Sequence, residues 1–253
     1  TVRGPNGGNC DGAAVVRGVA IKRAALGEVL KLELSVAEDL PAQTARVEIS
    51  NEFDGMADGF GHRMLKSFQS HLGTCLITPG DRIVGLAYHD RYLNAPLPVA
   101  LLLDFVCALR GAADDAWDVR QVELRVSPVP EAQMARLPPS KVWHNWATNK
   151  ERDQALVAAF EYAGLELSLA TLTKSDTIHA RRLDIILAGG KKLQIWLDQG
   201  FSYWQAPRDR GSSVERVWFP FVGDVQQQAE CIGRPEFRIE GQTYPTYAFL
   251  GWS

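Results

Sequence analysis

IHARRLDIILAGGKKLQIWLDQGFSYWQAP, residues Ile178–Pro207, reads as two apolar strands joined through Gly189-Gly190 and followed by an aromatic Asp-Gln-Gly turn. Short leucine- and isoleucine-rich runs bounded by glycine are what a buried hairpin requires. His179, Arg181 and Arg182 stand at the opening of the first strand, one titratable ring beside two permanent cations. A guanidinium presents a planar fork of donors matched to phosphate oxygens, so this strand start is a candidate phosphate-binding point. A hairpin whose basic residues are merely solvated is the blander reading.

Upstream of the hairpin, apolar runs and helical patterns alternate. Arg82–Tyr88 (RIVGLAY) reads as a buried strand, Val99–Arg110 as an apolar helix with Pro98 near its start, Gly111–Asp118 as a loop and Val119–Ser127 as an alternating strand. The proline-rich stretch from Ser127 to Ser140 is the natural connection between halves. Thr148-Asn149-Lys150-Glu151 has the spacing of a capping box and opens a helix to about Ala163, stopped by Gly164. Leu165–Leu172 is another strand, and Arg182–Leu187 and Leu193–Leu197 complete the hairpin. This order predicts an α/β (α+β) fold, a mixed sheet flanked by helices, over roughly 81–205.

The N-terminal part reads differently. Residues 1–12 are rich in Gly and Asn, and β-like runs follow at Ala14–Ile21, Val29–Val36 and Arg46–Ser50. Asn51–Gly61 holds three glycines and three acids without the ligand order of a calcium loop, so it reads as a solvated turn before a short helix at Arg63–Leu72. A β-rich region of unknown role is therefore expected over 1–75, ahead of a domain over 76–253. After Val214 the aromatic, glycine-rich chain predicts a return to β structure.

Composition narrows the function classes. A net charge of −3 over 253 residues excludes a protein coated in basic surface, so any nucleic-acid contact is local. Residues 171–216 supply such a locality: eight basic residues, among them Arg181, Arg182, Lys191 and Lys192, face five acids. The longest apolar run, Val99–Val106, is interrupted by Asp104, so no membrane span is expected. Four scattered cysteines without a CxxC pair exclude the familiar zinc spacings and suggest buried thiols in the cytoplasm. No metal or cofactor is implied. The chain starts at Thr1 rather than methionine, which reads as a segment of a longer protein.

Two histidines share a local pattern, His89-Asp90-Arg91 past the strand Arg82–Tyr88 and His179-Ala180-Arg181 at the hairpin. If those strand ends converge, two imidazoles and two guanidinium groups would surround one oxyanion. Each histidine could equally be a hydrogen-bonded residue at a loop edge. Trp143-His144-Asn145-Trp146 reads as a hydrophobic anchor for the connection rather than a base-stacking element.

These residues resemble a family. A strand ending in Asp-x-Tyr (Asp90-Arg91-Tyr92), an apolar helix, a strand, a capped helix, a strand, His-x-Arg and an apolar hairpin ending in Gly-aromatic-x-Tyr (Gly200 to Tyr203) is similar to the phospholipase-D-like domain at the C-terminus of MIT-domain proteins and its bacterial relatives. The resemblance covers about 81–207. It implies a phospholipase-D-like sheet with phosphate-binding strand ends at one groove, and as ligand-binding candidates His89, Asp90, Arg91, Tyr92, His179, Arg181, Arg182, Lys191, Asp198 and Tyr203. Active phospholipase-D enzymes carry His-x-Lys-x4-Asp. Here the lysine positions are Arg181 and Arg91, and the aspartate positions are Ile186 and Pro96. Loss of the orienting aspartate implies a site that binds phosphate better than it cleaves it. The eukaryotic members bind membrane phosphoinositides, and bacterial relatives sit beside helicases and nucleases in conflict systems, which implies a role in antiviral defence. The expectation is a non-catalytic binding module for phosphate groups of nucleic acid or phospholipid headgroups, with other protein subunits or domains as partners. The alternatives are a histidine-dependent phosphodiesterase and a protein–protein interaction scaffold.

Overall fold

The computed structural model describes residues 44–49, 51–72, 81–129, 146–173, 181–206 and 224–253. The strands expected at Ala14–Ile21 and Val29–Val36, most of the proline-rich connection, the Trp143-His144-Asn145 segment and His179 lie outside the described residues. The chain divides into two units, Thr1–Pro41 and Ala42–Ser253, and every described residue belongs to the second.

Seven strands form one mixed sheet. In chain order its members are β1 (Thr44–Ile49), β3 (Ile83–Asp90), β4 (Gln121–Val126), β5 (Glu166–Thr171), β6 (Arg181–Leu187), β7 (Lys192–Leu197) and β10 (Thr246–Trp252). In space the order is β1-β10-β7-β6-β3-β4-β5. The pairs β3–β4 and β4–β5 are parallel and the rest antiparallel. All five strands expected in the 81–205 region share this sheet. A small three-stranded sheet joins β2 (Gly55–Met56), β8 (Trp204–Gln205) and β9 (Arg238–Gly241) in the order β2-β9-β8.

Period-two alternation gives the large sheet one apolar face. Val47, Leu86, Tyr88, Val122, Leu124, Leu183, Ile185, Leu193, Ile195, Ala248 and Leu250 all enter a single core cluster. Four helices supply the other side of that cluster: α1 (Phe60–Leu72), α2 (Pro96–Ala113), α3 (Asn149–Tyr162) and α4 (Val225–Gly233). In α2, Pro96 and Pro98 occupy the first turn, where a missing N–H costs nothing. By length and composition the stretch Pro96–Ala116 could cross a membrane, a possibility the interrupted apolar run had argued against; most of it is buried in this core. Helix α1 lies so close to α2 that a Cβ on Gly61 would overlap the Asp104 carbonyl and come within 2.5 Å of Phe105 Cα. The Gly61 amide donates to Asp104 Oδ2 at 2.6 Å across that contact.

Helix α3 starts at the predicted box, with one difference. Thr148 Oγ1 accepts the Glu151 amide at 3.2 Å, but the Glu151 carboxylate takes the amide of Ala147, at 3.0 Å, rather than that of the cap residue itself. Gly164 follows the helix at φ +69°, a conformation that favours glycine.

Three expectations require correction. Residue 75 is not the end of a separate region, because β1 pairs with β10 and α1 packs into the common core. The stretch after Val214 is not wholly β: α4 interrupts it, capped by Asp224, whose side chain accepts the Gln227 amide at 2.9 Å. The loop expected at Gly111–Asp118 begins later, since α2 runs on to Ala113 and a short 3-10 turn follows. In the acidic Asn51–Gly61 segment, Asp54 accepts the Gly241 amide at 2.8 Å, which ties the segment to β9.

Candidate functional site

The condition that the two strand ends converge is met for the described residues of β3 and β6. β3 and β6 are antiparallel neighbours, and His89 stands directly opposite Arg182. Both strands are longer than the sequence suggested: β3 continues through Asp90, and β6 begins at Arg181. Inside a strand, adjacent side chains leave on opposite faces. The single expected cluster is therefore split in two by the sheet itself.

On the helix-covered face, the fully buried carboxylate of Asp90 accepts the Tyr88 hydroxyl at 2.9 Å and the Tyr92 amide at 2.8 Å. Arg181 Nε lies 3.7 Å from it. Burial raises the Asp90 pKa, and Arg181, the Tyr92 amide and the Tyr88 hydroxyl oppose that rise. Burial, then the nearby Asp90 charge, holds the Tyr88 hydroxyl well above its usual range. Arg181 donates through Nη1 to the Asp198 carbonyl and lies 4.8 Å above the Tyr92 ring. Arg91 approaches the same ring at 5.8 Å. The turn beneath is anchored by Phe201, whose ring packs edge-on against Tyr88 and Phe60. Gly200 has φ +58°, and a Cβ there would overlap Arg181 Cδ and lie 3.0 Å from Asp90 Oδ2. The Asp-Gln-Gly turn thus needs its glycine for two reasons, backbone conformation and space.

On the other face, Arg182 holds Asp184 through Nε at 2.9 Å and Nη2 at 3.0 Å. His89 Nε2 is 3.7 Å from the same carboxylate, and Lys192 Nζ is 4.0 Å away. The Arg182 guanidinium also lies 5.0 Å over the Trp196 ring. The His89 pKa is lowered from 6.5 to about 4, first by burial, then by Arg182; Asp184 opposes, Arg125 lowers and Glu123 raises it. His89 is thus a neutral imidazole at pH 7.

That shift has a measurable consequence. Between about pH 4 and 6.5 the unfolded chain binds a proton that the folded ring refuses, so stability rises with pH across that window. The His89 contribution is complete above 6.5 and is lost as pH falls through about 4. Urea unfolding at intervals over that range should show wild type gaining on His89→Gln as pH rises. Parallel curves for the two proteins would show that His89 titrates normally.

Lys191 and Tyr203 lie elsewhere, whereas Asp198 touches the Arg181 cluster through its carbonyl. Lys191 sits in the β6–β7 turn, 4.0 Å over the Trp252 ring and about 20 Å from Arg181 along the strand. It joins neither cluster. The Tyr203 hydroxyl lies 2.9 Å from the Gln242 carbonyl and 2.8 Å from that of Tyr244, an anchor for the smaller sheet rather than part of the strand end. The Asp198 carboxylate accepts the Thr246 hydroxyl at 3.3 Å, and burial raises its pKa. Trp146 is buried in the core, as an anchor should be. No group of three or more potential metal ligands occurs among the described residues.

One polar centre escaped the sequence reading. Arg152, on the first turn of α3, has no solvent exposure, yet it donates to the Ser127 carbonyl at 2.5 Å, Thr171 Oγ1 at 3.1 Å and Asn94 Oδ1 at 3.4 Å. It gathers the C-terminal ends of the three parallel strands. The only sequence signal was an arginine in the first turn of a helix, the end where a cation is electrostatically unfavourable.

No curated protein matches this sequence. A family profile does, over residues 43–252, and these residues take in both strand-end clusters, the Arg152 centre and the whole seven-stranded sheet. The chain belongs to the family described as "DEAD/DEAH box helicase YjiV, C-terminal domain".

Proposed function

We propose that this chain is a non-catalytic, phospholipase-D-like recognition module that contacts the phosphate backbone of nucleic acid, acting beside the other domains of a helicase polypeptide in the cytoplasm. The observation that carries this reading is the convergence of Arg181 and Arg91 on the Tyr92 ring at the C-terminal end of β3. Ligands of open α/β sheets bind outside the carboxyl ends of strands, and arginine is suited to phosphate. The helicase family name favours nucleic acid over a lipid headgroup as the source of that phosphate.

The non-catalytic part rests on the division of the strand end. His89 lies with Arg182 and Asp184, and Arg181 lies with Asp90 and Tyr92, so the described imidazole and the Arg91–Arg181 pair do not address the same phosphate. The competing phosphodiesterase reading has one point in its favour, the Asp184 carboxylate 3.7 Å from His89. Arg182 engages both oxygens of that carboxylate, however, and the neutral ring is buried beneath it.

Fluorescence titration of a labelled single-stranded oligonucleotide at several salt concentrations tests the proposal. Each phosphate neutralised on a single strand contributes about −0.7 to the slope of log K against log salt. Wild type should show a negative slope, and Arg91→Gln should lower its magnitude by about 0.7. Absence of binding at low salt, or a slope untouched by Arg91→Gln, would defeat the proposal. So would phosphodiester turnover that disappears in His89→Ala.

A further inference from the structure

Tyr92 is the large aromatic residue that the strand end holds out to solvent. Its side chain belongs to a residue 43% exposed, whereas its neighbours Tyr88, Leu93 and Asn94 are buried. The backbone beneath it is fixed: its amide donates to Asp90 Oδ1 at 2.8 Å, its carbonyl accepts the Asn94 amide at 2.8 Å, and the Asn94 carbonyl accepts the Trp146 amide at 2.9 Å. Arg181, itself held by Asp90 and the Asp198 carbonyl, lies 4.8 Å over the ring. A rigid, half-exposed ring with a fixed, largely buried guanidinium over it presents aromatic surface to solvent next to a cation.

We infer that Tyr92, with Arg181 held over its ring, is a stacking site for an unpaired nucleobase, which makes the ligand of this strand end single-stranded nucleic acid. The inference rests on the phosphate-recognition reading above and adds to it the part of the nucleotide that is read. Every nucleobase has a π face, so such a site tolerates sequence but requires the base to be free of a duplex stack. A lipid or inositol phosphate headgroup carries the same phosphate chemistry and no ring to stack.

The test compares two strands of equal length and charge, an oligothymidylate and its abasic counterpart, with the duplex and an inositol phosphate as competitors. Wild type should bind the oligothymidylate at least about fivefold more tightly than the abasic strand, the usual worth of one stacked base. Tyr92→Ala should bring the two affinities together, and Tyr92→Phe should keep them apart. The duplex and the inositol phosphate should compete poorly. Equal affinity of wild type for both strands, or equal competition by the inositol phosphate, overturns the stacking inference while leaving phosphate recognition standing. Failure of wild type to bind either strand overturns both. The strand comparison on wild type needs no variant to fold, and the exposed Tyr92 side chain can be altered without removing its backbone bonds to Asp90 and Asn94.

Discussion

Arg152→Ala is expected to lose about 4 kcal/mol of folding stability, read as a lower urea midpoint at an unchanged m-value. The truncation leaves the buried Ser127 carbonyl and Asn94 carboxamide without the donors that now reach them, while the exposed Thr171 hydroxyl can turn to water instead. Each buried acceptor left unmet costs about 1–3 kcal/mol, and the void left by the long side chain adds to that. Arg152→Lys should recover only part of the loss, since one ammonium cannot span β4, β5 and the loop after β3 together. The loss should change little with salt, because buried groups are poorly screened. A loss below about 1 kcal/mol would mean that water or local rearrangement replaces the arginine, and that the strand ends do not depend on it.

Arg181→Ala is the second large effect, about 3–5 kcal/mol, because it strands the buried Asp90 carboxylate. The loss should depend on pH in a definite direction. Burial already holds the Asp90 pKa above its ordinary 3.8, and removing the cation that opposes this raises it further. A carboxyl whose folded pKa exceeds its unfolded value favours folding below the unfolded value and loses that contribution as pH rises through the folded one. The variant should therefore be closest to wild type near pH 4 and fall progressively behind toward neutrality. Adding Asp90→Asn should restore much of the loss at neutral pH and remove the pH dependence, since the carboxamide keeps an acceptor for the Tyr92 amide without a charge. A defect that is independent of pH, or undiminished in the double variant, would show that Arg181 acts through packing on Tyr92 alone. In a binding assay Arg181→Ala will therefore confound fold with contact, so Arg91 and Tyr92 are the positions at which to test ligand recognition.

How far the sequence reached differs from residue to residue. The Thr148–Glu151 box, the prolines that open α2, the Gly164 stop and the hairpin of β6 and β7 were legible because each is decided within a few residues by hydrogen bonds and φ restrictions that the local chain supplies. Helix α4 is hidden although its pattern is amphipathic, because it is only nine residues long and its Asp224 cap stands in an aromatic- and glycine-rich neighbourhood that reads as β. The meeting of residues 89 and 182 was foreseen as a condition and met as a fact, since apolar strands of one buried sheet had to pair somewhere.

What the sequence determined by itself, then, was the strand and helix content of 81–205, the two basic and histidine-bearing strand ends, and the glycine-bearing turn at Gly200. Only the tertiary structure decided which side chains share a site. Local pattern ended β3 at Tyr88 and began β6 at Arg182, which left His89, Asp90 and Arg181 as loop residues free to gather around one anion. Pairing between strands remote in sequence carries the ladder through those positions, and once a residue is in the ladder its neighbour must face the other way. That extension, two residues in β3 and one in β6, sends His89 to Asp184 and Asp90 to Arg181, on opposite sides of the sheet. The same long-range pairing brings β1 beside β10 and lets Arg152 reach three strand ends, because hydrogen-bond partners far along the chain are chosen by burial and not by local sequence.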